Sequence, residues 1–233
     1  MTKLVMPLKK SQGHAHPTTL HNWDLKALPE LRLTLLNWYE ANERPMPWRA
    51  PCGSEIKHHD AQRAYQVWVS EVMLQQTQVG TVIPFYQKWM DQWPTLKQLA
   101  EAPMEDVLKT WSGLGYYSRA QRLVEGAQFV MEKFDGKLPE SVKELLQVPG
   151  IGPYTAGTII FFNLSGAVAS IAYHLPEALV DGNVVRVISR LRALGMNPKS
   201  NEAIALHWCV IELRLIQKAT SARITRSRST RSF

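Results

Sequence analysis

The amino-acid sequence predicts an all-α fold, built as a single unit of about ten helices. Leucine-rich stretches follow helical spacing, and runs that alternate between apolar and polar residues are nearly absent. Helix-start signals also recur, each pairing a hydroxyl residue with a Gln or Glu three positions later, as in a capping box. These pairs are Thr95 with Gln98, Ser118 with Gln121, and Ser141 with Glu144. Gly136 and Gly195 follow helical stretches and are predicted helix stops.

The first helix is predicted over residues 31–39 and the second over residues 65–79, with a polar segment at 50–62 between them. Farther along, residues 145–173 contain no charged side chain. The most apolar part, 158–173, is shorter than the ~20 residues that a membrane-spanning helix needs. We therefore expect a buried core helix there and no membrane span.

The net charge of the 233-residue chain is +7, and 45% of its residues are hydrophobic, which is enough for a real core. The excess charge lies at the two ends, because residues 1–16 and 218–233 contain lysine and arginine but no acid. The long segment between them is nearly neutral, so bulk charge alone does not establish a nucleic-acid partner. The first 16 residues show no secretory signal, and we expect a reducing compartment.

The chain has two cysteines, Cys52 and Cys209, which are far apart in the sequence. A disulfide framework is therefore not expected. An iron–sulfur or other metal centre made of cysteines alone takes about four thiolates, so this chain cannot build one. We expect no metal site.

A tight turn between two helices is predicted at residues 148–157, VPGIGPYTAG. Gly150 and Gly152 flank an apolar Ile151 and would leave backbone N–H groups exposed where the second helix starts. Such a terminus can bind phosphate without lysine or arginine, which would reconcile a neutral core with DNA binding. Taken alone, the same segment is equally compatible with a plain αα-hairpin.

Four motifs then identify a family. They are WVSEVMLQQTQV at 68–79, GLGYYSR at 113–119, VPGIGPYTAG at 148–157 and VDGNVVRV at 180–187. In these motifs and their order, the chain closely resembles the adenine DNA glycosylases of the MutY type, within the helix-hairpin-helix superfamily of base-excision enzymes. The resemblance runs from about residue 31 to residue 198 and is nearer to the eukaryotic branch. It implies a helix-hairpin-helix DNA glycosylase fold, with a six-helix barrel domain and an incomplete second helical domain.

The resemblance also implies a division of the chain. We expect a flexible N-terminal tail at 1–25 and a glycosylase region at 26–200, within which the helix-hairpin-helix covers 141–162. Residues 158–166 are interpreted as an insertion relative to the family, and residues 201–233 as a divergent helix followed by a basic, disordered tail.

Glu71 is the first candidate catalytic residue. In a helix over 65–79 it would share a face with Trp68, Val72 and Gln75. A carboxyl group against aromatic and apolar surface loses hydration, which raises its pKa and suits it to act as a general acid. By pattern alone, a surface glutamate is the alternative. The resemblance implies that this residue protonates adenine at N7.

Asp181 is the second candidate, and its place before a helical stretch also makes it a plausible N-cap. The resemblance implies that it stabilises the oxocarbenium-like sugar, with Asn183 helping to hold it. Tyr154 stands where bifunctional relatives have a lysine, so we expect hydrolysis without a strong lyase step. The resemblance gives Tyr154 a role in supporting Asp181, and packing on a neighbouring helix is the alternative.

Four further residues are candidates for binding DNA. Gln76 and Tyr116 match the residues that the family inserts into the base stack when the target base is extruded. Trp48 and Arg49 match a segment that lines the adenine pocket. Away from these motifs, none of the four would stand out.

The chain departs from the family in three ways. The family's four-cysteine segment, which holds a four-iron, four-sulfur cluster, has no counterpart before Phe233, so we expect the cluster and the domain that recognises 8-oxoguanine to be absent. The insertion at 158–166 could carry Asp181 away from Glu71 if it lengthens a helix, or leave the site intact if residues 163–166 loop out. Third, a helix that should pack against the missing segment would lose its partner and expose apolar surface around Leu206, Trp208 and Leu213, so we expect marginal stability and aggregation.

The sequence thus predicts a base-excision-repair adenine DNA glycosylase that hydrolyses the N-glycosidic bond of adenine opposite 8-oxoguanine or guanine in double-stranded DNA. We expect a monomer in the nucleus, with the mitochondrion as a second location. A catalytically impaired DNA-binding fragment or isoform is the alternative. A pyrimidine-specific glycosylase is disfavoured because Tyr154 occupies the lysine position.

Overall fold

The computed structural model describes residues 26–49, 61–151, 164–175, 177, 180–191, 193–195 and 197. In these segments the chain forms nine α-helices and no β-strand, which confirms the all-α prediction. The helices are α1 (Leu28–Asn42), α2 (Ala61–Leu74), α3 (Val79–Gln92), α4 (Leu96–Ala100), α5 (Met104–Trp111), α6 (Ser118–Lys133), α7 (Val142–Leu145), α8 (Leu164–Ala172) and α9 (Gly182–Leu191).

Helix α2 lies at the centre of the fold and packs against α3, α6 and α8. Its side chains are buried on most of its circumference, as expected of a helix with neighbours on several sides. Three tryptophans on neighbouring helices or loops form edge-on pairs beside it, with Trp89 4.9 Å from Trp93 and 5.4 Å from Trp111 between ring centroids. This aromatic cluster anchors α3 and α5 in the core.

The second predicted helix ends earlier than expected. Residues 65–79 were predicted as one helix, but α2 stops at Leu74 and α3 begins at Val79. Gln76 adopts a left-handed backbone with φ of 55°, which a continuous helix cannot contain. Hydrophobic spacing runs on across this break, and for that reason the sequence pattern did not reveal it.

Of the three capping boxes, only the one at Thr95 forms. The Thr95 hydroxyl accepts a hydrogen bond from the Gln98 backbone N–H at 3.3 Å, and the Thr95 N–H donates to the Gln98 side chain at 3.1 Å. Ser118 lies inside α6, whose N-cap is Tyr117, and Ser141 is the N-cap of α7 but makes no capping hydrogen bond through its side chain. The helix starts at these two positions agree with the prediction, but neither capping box forms, because sequence spacing alone does not direct the side chains at the N–H groups of the first turn.

The predicted stop at Gly136 is confirmed, since this glycine has φ of 73° and its N–H donates to the Val130 carbonyl at 3.1 Å. The stop at Gly195 was wrong. Helix α9 already ends at Leu191, and Ala193 takes the left-handed turn with φ of 48°. A glycine downstream of a helix is therefore not always its terminator.

Helix α8 lies in the charge-free stretch at 145–173, after the hairpin segment. Nearly all of its side chains are buried, and it packs on α2, as predicted for a core helix. Residues 164–166 of the proposed insertion lie inside α8 and do not loop out, whereas 158–163 lie outside the described residues. Within the described segments, no helix has both the length and the apolar character needed to cross a membrane.

Candidate active site

Glu71 lies in the last turn of α2, between the buried side chains of Trp68 and Val72. Its carboxyl group is partly buried. Burial, together with the negative charge of Asp181, raises the pKa of Glu71 from 4.5 to about 7, and the positive charge of Arg49 opposes this rise. Near neutral pH a large fraction of Glu71 therefore carries a proton. Gln75, predicted on the same helical face, lies beyond the end of α2.

Asp181 is the N-cap of α9. One carboxylate oxygen accepts a hydrogen bond from the Val184 backbone N–H at 2.7 Å, and the other accepts one from the Asn183 side-chain amide at 2.9 Å. The Asp181 carboxylate accepts a hydrogen bond from an N–H group at the helix start that has no partner within the helix, and this bond fixes the orientation of the carboxylate. The two candidate roles of Asp181, as a cap and as a site residue, are thus compatible in one geometry.

The structure brings Glu71 and Asp181 together although 110 residues separate them in the sequence. Asp181 lies close enough for its negative charge to contribute, after burial, to the raised pKa of Glu71. Two carboxyl groups in different environments can take different catalytic roles, one as a proton donor and the other as a carboxylate.

Trp48 and Arg49 lie in the segment that follows α1. Trp48 is buried and meets Tyr86 edge-on, with 5.2 Å between ring centroids. Arg49 is partly buried, lies over the ring of Tyr39 at 5.9 Å, and faces Glu71 closely enough to affect its pKa. Arg49 is therefore near Glu71, and the predicted role of both residues in an adenine pocket stays a prediction.

Gln76 and Tyr116 lie on two separate connections, at the end of α2 and just before α6. Both side chains are exposed, and both residues have a left-handed backbone, with φ of 55° for Gln76 and 49° for Tyr116. Residues other than glycine adopt this conformation only where the surroundings impose it. The sequence pattern did not reveal that Arg119, in the GLGYYSR motif, contacts both connections.

The hairpin turn is described only up to Ile151. Gly150 is exposed and has φ of 84°, and a Cβ atom there would lie 3.0 Å from Cβ of Arg122, so glycine suits the position. Ile151 is buried beneath the turn. Gly152 and Tyr154 lie outside the described residues, and their predicted roles stay predictions.

In the parts of the chain that the structure describes, no group of three or more His, Cys, Asp or Glu side chains could hold a metal ion. Cys52 and Cys209 lie outside those parts. The two thiolates of this chain do not fit the set of about four that an iron–sulfur cluster takes.

A family model of DNA repair proteins and curated DNA glycosylases both match this chain. Residues 69–211 match the sequence model of the HhH-GPD superfamily base excision DNA repair proteins. The chain is 49% identical to the adenine DNA glycosylase of Rattus norvegicus over 179 residues, which cover 76% of this chain and 33% of that protein. For the adenine DNA glycosylase of Homo sapiens the identity is 48%, over 79% of this chain and 32% of that protein. The chain thus spans about a third of the length of these mammalian relatives.

Less similar proteins are DNA glycosylases as well. The adenine DNA glycosylase of Buchnera aphidicola subsp. Baizongia pistaciae is 38% identical, over 77% of this chain and 45% of that protein. Among solved structures, a thermostable thymine-DNA glycosylase superposes with a TM-score of 0.59 at 24% identity, covering 78% of this chain and 77% of that one. At this identity the likeness shows the fold, which is the helical glycosylase fold predicted from the motifs.

Proposed function

The chain belongs to the HhH-GPD superfamily of base excision DNA repair proteins, with MutY-type relatives, and from that membership we propose that it is an adenine DNA glycosylase. In this proposal it hydrolyses the N-glycosidic bond of adenine that is paired with 8-oxoguanine, or with guanine, in double-stranded DNA. A single chain acts on the duplex, in the nucleus and secondarily in the mitochondrion. Residues 26–200 form the glycosylase region.

One observation carries the proposal, which is the raised pKa of Glu71 beside the charge of Asp181. A general acid works best when its pKa is near the operating pH, and about 7 meets that condition. Glu71 donates its proton to N7 of adenine, so that the base departs as a neutral leaving group. The Asp181 carboxylate faces the positive charge that develops at the sugar carbon, and water completes the hydrolysis.

The surrounding residues support the same chemistry. Asn183 and the start of α9 hold the Asp181 carboxylate in one orientation. Trp48 and Arg49 line the pocket for the extruded adenine, and the charge of Arg49 keeps the pKa of Glu71 from rising further. Because Tyr154 offers no amine, we expect no Schiff base with the sugar and no strand cleavage by that route. No step is assigned to a metal cluster.

DNA is held by two kinds of contact in this proposal. The exposed side chains of Gln76 and Tyr116 enter the base stack as the target adenine leaves it. Backbone N–H groups at Gly150 and Gly152 bind phosphate, as expected from the sequence for the start of the hairpin's second helix. This mode of binding needs little basic surface, in keeping with the near-neutral middle of the chain.

Single-turnover excision tests the proposal. The substrate is duplex DNA with one adenine opposite 8-oxoguanine, and the parent chain is compared with Glu71→Gln and Asp181→Asn. We expect excision by the parent and a loss of at least about a hundredfold in each variant, the lower end of what a general acid contributes. Glu125→Gln and Asp106→Asn, which change exposed carboxylates on α6 and α5, are the matched controls and should stay within about twofold.

Two results would contradict the proposal. If Glu71→Gln and Asp181→Asn excise adenine at the parent's rate, the carboxyl pair is not the catalytic pair. If the parent chain binds the duplex but releases no adenine, the chain is the DNA-binding fragment that the sequence left as the alternative.

A further inference from the structure

Arg119 is a charged side chain in the first turn of α6 that the proposed chemistry does not use. It is only 6% exposed, although arginine is rarely buried unless hydrogen bonds compensate its charge. Its guanidinium group meets this condition through backbone carbonyls from two different parts of the chain. The position of these carbonyls, next to Gln76 and Tyr116, suggests what the residue does.

The first set of carbonyls belongs to the end of α2. Nη1 of Arg119 donates hydrogen bonds to the carbonyl oxygens of Val72 at 3.0 Å, Met73 at 3.2 Å and Gln75 at 2.7 Å. The last carbonyls of a helix have no partners within the helix and carry the negative end of its dipole. A buried cation there therefore stabilises the helix end and the turn that leads directly to Gln76.

The second set belongs to the connection before α6. Nη2 of Arg119 donates to the carbonyl oxygens of Leu114 and Gly115, both at 3.2 Å. The guanidinium carbon also lies 5.4 Å from the ring centroids of Trp111 and Tyr116. The same group thus fixes the backbone immediately before Tyr116 and contacts the ring of Tyr116 itself.

Both residues adjoining these carbonyls have a left-handed backbone, which costs free energy in a residue other than glycine. Such strain persists where the surroundings over-determine the conformation. The planar fork of Arg119 provides this constraint for Gln76 and Tyr116 at once. A lysine could keep the charge but could not direct rigid donors at both sets of carbonyls.

We propose that Arg119 is a positioning residue that couples the two connections, so that Gln76 and Tyr116 enter the duplex as one unit. The inference rests on the proposed function, since it takes these two side chains to be the ones inserted into DNA. It adds that their insertion is cooperative and that the guanidinium group is the link.

A double-mutant cycle tests the coupling. Gln76→Ala, Tyr116→Ala and the double variant are made in the parent chain and in Arg119→Lys. The measured quantity is the equilibrium unstacking of duplex DNA, reported by the fluorescence of 2-aminopurine beside the target adenine. We expect the effects of the two alanines to depart from additivity by about tenfold in the parent, and to be additive within about twofold in Arg119→Lys. Arg32→Lys, an exposed arginine on α1, is the matched control and should keep the parent's coupling.

A second measurement does not need an Arg119 variant to fold. In the parent chain bound to duplex, we expect Gln76→Ala to reduce hydrogen-exchange protection of the amides of residues 113–117, across the Arg119 link. Unchanged protection there, or coupling that persists in Arg119→Lys, would overturn the inference alone. A parent chain that leaves 2-aminopurine stacked would instead overturn the insertion that the proposed function assumes, and the inference with it.

Discussion

Glu71 affects the stability of the whole fold, because its protonation differs between the folded and the unfolded chain. An unfolded glutamate titrates near pH 4.5, whereas Glu71 in the fold titrates at about 7. Between these pH values the folded state binds more protons, so the free energy of unfolding falls as the pH rises and levels off above about 7. The shift corresponds to at most about 3 kcal/mol, since the carboxyl group is partly exposed.

The side chain of Gln cannot ionise, so no charge has to be buried in Glu71→Gln. We therefore expect this variant to be more stable than the parent chain at about pH 8, by up to about 3 kcal/mol. At about pH 4 this difference should almost vanish. Urea unfolding at the two pH values measures it, with the exposed Glu125→Gln as the control that shows no such pH dependence. A difference of equal size at both pH values would show that burial does not perturb Glu71.

The electrostatic link to Asp181 can be checked in the same way. Asp181→Asn removes a negative neighbour, so the pKa of Glu71 should fall, and carbon-13 NMR of the Glu71 carboxyl group would record the titration. An unchanged titration midpoint would mean that the two carboxyl groups do not interact.

At the scale of elements, the sequence indicated the bodies of helices better than their ends. Of three pairs with capping-box spacing, only Thr95 with Gln98 formed the box, so the spacing alone did not decide it. Helix α2 ended at Leu74 because the chain turns at Gln76, and that turn is held from α6 by Arg119, a contact between residues far apart in sequence. A signal confined to one helical turn does not contain such contacts.

The contact between α2 and α3 includes the buried hydroxyl group of Tyr65. Tyr65 on α2 donates a hydrogen bond to the Trp93 carbonyl at 2.7 Å and accepts one from the indole N–H of Trp89 at 3.2 Å. Tyr65→Phe leaves a buried carbonyl and a buried N–H without this partner, so we expect a loss of about 1–3 kcal/mol in the free energy of unfolding. Tyr117→Phe, at an exposed tyrosine, should change it by less than about 0.5 kcal/mol. Equal effects in denaturant unfolding would contradict the prediction.

At the scale of the whole molecule, three parts of the fold meet at Gly126 on α6. A Cβ atom at this position would lie 2.6 Å from the Pro149 carbonyl oxygen and 2.8 Å from the ring of Trp68. Glycine at this position therefore allows the close approach of α6 to the hairpin turn and to the core side of α2.

We expect Gly126→Ala to force these parts aside and to lower the free energy of unfolding by about 1–3 kcal/mol. Gly80→Ala, in α3, is the matched control, since no atom would lie within 4 Å of a Cβ atom added at Gly80. There alanine should raise the free energy of unfolding by roughly 0.5–1 kcal/mol, through its better helix propensity. Thermal unfolding of both variants measures the contrast, and stabilisation by both substitutions would contradict the close approach at Gly126.

By itself the sequence determined the helical class, most helix bodies, the family motifs and the identity of Glu71 and Asp181 as candidate residues, because periodicity and motifs are local properties. Only the tertiary structure decided that the two carboxyl groups interact, that Gln76 and Tyr116 lie on left-handed turns, and that Arg119 contacts both connections. Burial and charge depend on neighbours brought together by folding. A pKa or a strained turn therefore follows from the packed chain and not from the spacing of its residues.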